Sequence, residues 1–136
     1  MPKTTEFNIQ MEDQPGTLAK FSRALADKGV NILGFQSFPA QGKSEVHLLV
    51  DNPGTAKKVL DQERLTYKET EVAQVKLQHR PGELARVAAS LGDAGININY
   101  AYPAFEPGTN APVLVFGVAD AKQAASILDK TAQAAA

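Results

Sequence analysis

Two histidines, His47 and His79, are the chain's only imidazoles, one on a predicted strand and one in a predicted turn. No serine stands near either at the spacing of a nucleophile elbow, so the inventory does not fit an enzyme. Cysteine is absent, which excludes disulfides, thiolate catalysis and Cys-based zinc or copper carriers. Gly42-Lys43-Ser44 imitates the end of a phosphate-binding loop, but that motif requires glycine at position 37 and the chain has Ser37. A hairpin turn explains those three residues better. Tyr100, Tyr102 and Phe105 form an aromatic group that suits either a pocket for an apolar or aromatic amino acid or plain core and interface packing. Neither a catalytic residue, a metal site nor a cofactor is expected, and the chemistry left is that of binding.

Charge narrows the partners. Lys plus Arg number 14 and Asp plus Glu 15, a net charge of -1. Nonspecific nucleic-acid affinity needs an excess of cations, so nucleic acid is not an expected partner. Apolar residues make up 43% of the 136 and charged residues 21%, the balance of a packed soluble chain. No apolar run approaches the ~20 residues of a bilayer span, and the opening Met1-Pro2-Lys3-Thr4-Thr5 has no apolar signal core. The expectation is a cytoplasmic protein without a membrane partner.

The elements that must position any site come in two copies. Asp13-Gln14-Pro15-Gly16-Thr17-Leu18-Ala19 is answered by His79-Arg80-Pro81-Gly82-Glu83-Leu84-Ala85 at an offset of 66, held without a gap through Gly29-Val30-Asn31-Ile32 and Gly95-Ile96-Asn97-Ile98. Val59-Leu60-Asp61 and Ile127-Leu128-Asp129 then match at an offset of 68, which places two extra residues in an intervening loop near Glu106-Pro107-Gly108-Thr109-Asn110. Two units follow, residues 1–70 and 71–136.

Each copy reads as strand, helix, strand, strand, helix. Phe7, Ile9 and Met11 alternate with Glu6, Asn8 and Gln10, and Ala73, Val75 and Leu77 alternate with Gln74, Lys76 and Gln78, the period of a half-buried strand. Leu18, Phe21, Ser22 and Leu25 share one helical face, repeated by Leu84, Val87, Ala88 and Leu91. Pro15 and Pro81 fit the helix start, and Gly29 and Gly95 its left-handed end. Second strands are expected near 31–38 and 97–104, third strands near 44–51 and 112–119, and short helices after Asn52 and Asp120. Residues 66–72 supply a final strand to the first copy. The second copy has no obvious counterpart, which leaves a sheet edge to be covered by the 66–78 strand, by the segment before Thr5 or by a strand of a second molecule, with a homodimer as the expected remedy.

A βαββα(β) unit with Asp-x-Pro-Gly-x-Leu-Ala at its first turn and Gly-Val/Ile-Asn-Ile at its helix exit resembles the ACT domain, a family of small ferredoxin-like regulatory modules that bind amino acids in enzymes such as aspartate kinase and phosphoglycerate dehydrogenase. The resemblance covers about residues 5–131 and implies an α+β chain of two tandem βαββαβ units, antiparallel sheets with helices on one face. It also implies a ligand at the junction of two units, held by the loop between first strand and first helix. A glycine there lets the ligand approach the backbone, and helix N-terminal amides take its carboxylate. Gly16 and Gly82 match that position, with the amides of Thr17 and Leu18 or of Glu83 and Leu84 as donors. Asp13 matches the residue that receives the ligand's ammonium group, whereas His79, beside Arg80, does not. One half-site is therefore expected from Asp13, Gly16, Thr17 and Leu18 with Asn97 and Ile98, and its pseudo-symmetric partner from His79, Gly82, Glu83 and Leu84 with Asn31 and Ile32. Serine-binding members carry a histidine two residues before the acidic position. Met11 and Leu77 stand there in this chain and favour a less polar ligand.

Each of these residues has a plainer role open to it. The Pro-Gly pairs serve as strand-to-helix turns, Asn31 and Asn97 as backbone hydrogen-bonding residues, and Asp13 as a helix cap. Ferredoxin-like units also bind RNA on open-face aromatics of the first and third strands. The residues expected to face outward are Glu6, Asn8, Gln10, Glu45, His47 and Leu49 in one copy and Gln74, Lys76, Gln78, Val113, Val115 and Gly117 in the other, with no ring among them but His47. The outward valines suggest a face buried by self-association. The function read from the sequence is a small-molecule sensor acting on an enzyme in trans, with a ligand-free interaction module as the alternative.

Overall fold

A computed structural model describes residues 3–134. The elements run β1 (Lys3–Glu12), α1 (Thr17–Asp27), β2 (Ile32–Ala40), β3 (Lys43–Val50), α2 (Pro53–Gln62), β4 (Thr66–Lys76), α3 (Glu83–Asp93), β5 (Tyr100–Phe105), β6 (Pro112–Gly117) and α4 (Ala121–Ala134). The chain divides into two compact units, Glu6–Thr70 and Met1–Thr5 with Glu71–Ala136. The units are not simply successive stretches of chain, because both β1 and β4 contribute to each.

In the Glu6–Thr70 unit the strand order is β2-β3-β1-β4. β3 is antiparallel to β1, with Phe7 opposite Leu48 and Ile9 opposite Val46, and antiparallel to β2. Phe7, Ile9, Met11, Val46 and Leu48 meet Phe21 and Leu25 of α1 and Val59 and Leu60 of α2 in one apolar core. Each such side chain stabilises the fold by about 1.5–3 kcal/mol when fully buried. Asn52 caps α2 by accepting a hydrogen bond from the Thr55 amide at 3.1 Å.

The second unit repeats the plan. β6 is antiparallel to β4, with Ala73 opposite Phe116 and Val75 opposite Leu114, and antiparallel to β5. Its core joins these residues to Val87 and Leu91 of α3 and to Ala124 and Leu128 of α4. Asp120 Oδ1 accepts the Gln123 amide at the start of α4. β1 stands beside β4 in the strand order, and its residues before Glu6 belong to this unit, so the vacant edge is covered from within the chain. Lys3 Nζ lies 3.5 Å from Glu71 there.

Three expectations are corrected. Leu18 and Leu84, the first members of the two helical stripes, are exposed, and the core begins one turn later at Phe21 and Val87. The second strand of the second copy starts only at Tyr100, just after a side-chain hydrogen bond from the Asn97 amide to Asn99 Oδ1 and a backbone bond from Asn99 N–H to the Gly117 carbonyl. Glu6, Asn8, His47 and Leu49 do not face solvent but are buried, Glu6 completely. Each of the three polar residues has a polar or charged partner, which offsets part of the cost of burial. His47 Nδ1 lies 3.3 Å from Glu6 and its Nε2 3.4 Å from Glu45, while Asn8 donates to Thr70 Oγ1 at 2.8 Å. Val113 and Val115 are buried as well, and that burial is complete within a single chain, without self-association.

Candidate functional site

The Gln14-Pro15-Gly16-Thr17 and Arg80-Pro81-Gly82-Glu83 segments are the same turn made twice. Gly16 has φ 88° and ψ -10°, Gly82 has φ 90° and ψ -10°, and each is preceded by proline, which is the type II turn. The turns are closed by Thr17 N–H to Gln14 O at 3.3 Å and Glu83 N–H to Arg80 O at 3.4 Å. That left-handed geometry strains any side chain, which accounts for glycine at both positions. A Cβ built at either glycine would meet no atom within 4 Å. The backbone surface there is open to an approaching molecule.

Neither helix is capped by a side chain. Asp13 is exposed and is not the cap of α1, which removes the plainest structural role open to it. Beyond this point the copies diverge. α1 carries no acidic residue in its first turn, so its N-terminal partial charge is met by no carboxylate of the helix itself. α3 begins with Glu83, which is buried and held by two arginines: Arg80 Nε donates to Oε1 and Arg86 donates to Oε2, both at 3.0 Å. Arg86 also donates to the Thr131 carbonyl of α4 at 3.0 Å. The Arg86 guanidinium, and then that of Arg80, holds the Glu83 carboxyl below the ordinary carboxylate range against the opposing effect of burial. The second loop already contains the carboxylate that its helix end and its arginines select.

At the helix exits, the Asn31 amide donates to Asp51 Oδ1 at 2.9 Å and the Asn31 carbonyl accepts the Asp51 amide at 3.1 Å. Ile32 and Ile98 are half-buried against their respective cores, so both have a packing role. His79 is exposed. Of the twelve candidate residues only Thr17 lines a cavity of about 420 Å³ in the Glu6–Thr70 unit, whose remaining walls come from residues outside the repeat motif. Tyr100 and Tyr102 stack with ring centres 6.5 Å apart, but Phe105 is exposed, so the three rings do not close around one pocket. Among the described residues no cluster of His, Cys, Asp and Glu suits a metal ion, and no helix is long and apolar enough to cross a membrane.

Two βαββα units with duplicated glycine turns at their first helix define a ferredoxin-like fold of the ACT type. The ACT domain family model matches residues 5–64 of the chain. The fold is similar to that of protein BT0572 from Bacteroides thetaiotaomicron, at 21% identity and a TM-score of 0.81, covering 94% of this chain and 88% of that one. It is also similar to the ligand-free regulatory subunit of aspartate kinase from Thermus thermophilus, at 20% identity and a TM-score of 0.65, covering 98% and 92%. The corresponding subunit from Thermus flavus is 17% identical with a TM-score of 0.55, covering 96% and 97%. The chain matches no curated protein sequence.

Proposed function

We propose that this protein is a regulatory amino-acid sensor of two tandem ACT domains, residues 1–70 and 71–136, with its ligand at the junction between them. The bare N-terminus of α1 carries this reading: an uncapped first turn, a left-handed Gly16 with open space above it, and an exposed Asp13 that caps nothing. An α-amino acid supplies the complement, a carboxylate for the amides of Thr17 and Leu18 and an ammonium for Asp13. Asn97 and Ile98 complete that half-site. The pseudo-symmetric half-site of His79, Gly82, Glu83 and Leu84 with Asn31 and Ile32 is the weaker one, since Glu83 already occupies its arginines. The solved regulatory subunits of aspartate kinase support a regulatory role through their fold.

The protein acts in the cytoplasm as a homodimer and shifts an enzyme in trans by binding one of its states more tightly. Exposed Phe35 and Phe38 on β2, the outermost strand of its unit, favour assembly at that edge. Nucleic acid is not a partner, since the face that an RNA-binding unit uses holds buried Glu6, Asn8 and His47. A thermal-shift screen against the proteinogenic amino acids tests the reading, because a ligand at a hundred times its Kd stabilises the native state by about 2.7 kcal/mol. A flat response at millimolar concentration rejects it in favour of a ligand-free interaction module.

A further inference from the structure

The cavity in the Glu6–Thr70 unit has a charge pattern that the paired-loop site does not use. Its floor is apolar, made by Met11 at the end of β1, Phe21 of α1 and Leu65. Three cations, Lys20, Lys43 and Arg64, and two carboxylates, Glu12 and Glu63, stand around it. All five are exposed, and none forms an ion pair or side-chain hydrogen bond among the described residues. Glu12 and Lys43 are direct partners in the β1–β3 register, yet they too remain unpaired. Opposite charges that face one cavity without meeting leave room for a molecule between them.

The position of Arg64 is the second observation. Helices α1, α2 and α3 end in the same way: the residue after the helix cap turns left-handed, and the next amide reaches back to the last turn, Val30 to Leu25 O, Leu65 to Leu60 O and Ile96 to Leu91 O. α1 and α3 use Gly29 and Gly95 for the left-handed residue, with φ 72° and 77°. α2 uses Arg64, with φ 56°. A side chain in that conformation is strained where glycine is not, and strain of this kind gathers at ligand-holding positions. The strained residue is here a cation at the cavity.

We propose that this cavity is a second ligand site, sharing only Thr17 with the paired-loop site, that binds a small amino dicarboxylic acid. The protein presents three positive and two negative groups, and such a ligand presents two negative and one positive. Arg64, Lys20 and Lys43 take the two carboxylates, with the planar guanidinium of Arg64 suited to a bidentate grip. Glu12 and Glu63 take the ammonium, and the aliphatic stem lies on Met11, Phe21 and Leu65.

Titration calorimetry of the full chain with L-glutamate and L-aspartate, beside glutarate, L-norvaline and inorganic phosphate, tests the site. The expected result is binding of an acidic amino acid at least about tenfold tighter than of glutarate or phosphate, which lack the ammonium group, and, unlike any binding of L-norvaline at the paired loops, dependent on Arg64 and Lys43. Arg64→Gly is expected to raise the thermal midpoint of the free protein while weakening that binding about tenfold or more. Lys43→Gln is expected to weaken it without a gain in stability. Absence of binding by both acidic amino acids, equal binding of glutarate or phosphate, or an Arg64→Gly variant that binds as the parent does would each overturn the proposal.

Discussion

Glu83 Oε2 accepts a hydrogen bond from Arg86 at 3.0 Å, and this contact makes the two copies of the repeat chemically unequal. With Arg80 on the other oxygen, the carboxylate sits at the first turn of α3, where the helix end favours a negative charge. α1, built on the same turn, has Thr17 in the equivalent position and no acidic residue in its first turn. The symmetric scaffold therefore has one helix end met by its own carboxylate and one that is not.

Asp13→Ala is expected to weaken amino-acid binding by about tenfold or more, the size of a lost charge-assisted hydrogen bond, while changing stability by less than about 0.5 kcal/mol at an exposed, non-capping position. Calorimetric titration and thermal unfolding of the same variant check both halves.

Glu83→Gln is expected to alter acid stability. The arginines lower the Glu83 pKa in the folded state, so its stabilisation is present above the ordinary carboxylate range and is lost as the pH falls through the depressed folded value. Unfolding followed as a function of pH should show the parent protein losing stability more steeply in acid than the variant.

Gly16→Ala and Gly82→Ala each force a side chain into left-handed backbone and are expected to cost about 1–2 kcal/mol alike. Denaturant unfolding measures that equality. Only Gly16→Ala should also weaken the ligand.

Gly117→Ala is expected to destabilise by about 1–3 kcal/mol, because the Tyr100 ring occupies the space that the new methyl group would enter. A change in the near-ultraviolet tyrosine signal should accompany the loss.

The repeat and its alternating strands made the two-unit α+β fold legible, since Phe7, Ile9, Ala73 and Val75 recur at the period that puts them in a core. Alternation tells which residues share a face, not whether that face meets water. Glu6, Asn8 and His47 therefore read as outward although they are buried against mutual partners. The partnership of Lys3–Thr5 with the second unit depends on contacts across some seventy residues of chain, which no local pattern records. Of the candidate site, the Pro-Gly turns and Asp13 were visible as motifs. The Glu83 clamp went unread although Arg80 and Arg86 each stand three residues from Glu83, because spacing alone does not show that the carboxylate is buried. Arg64 was hidden because it stands where the other helices have glycine, so the sequence shows no stop signal at the end of α2.

The proposed function requires that the first loop, not the second, receive an amino acid. Calorimetric titration of the parent protein, Asp13→Ala and His79→Ala with the amino acids that shift its melting tests this most directly. The expected result is a ligand whose affinity falls about tenfold or more in Asp13→Ala and stays within about twofold of the parent in His79→Ala. Equal losses in the two variants, or no amino acid that binds at all, would contradict it.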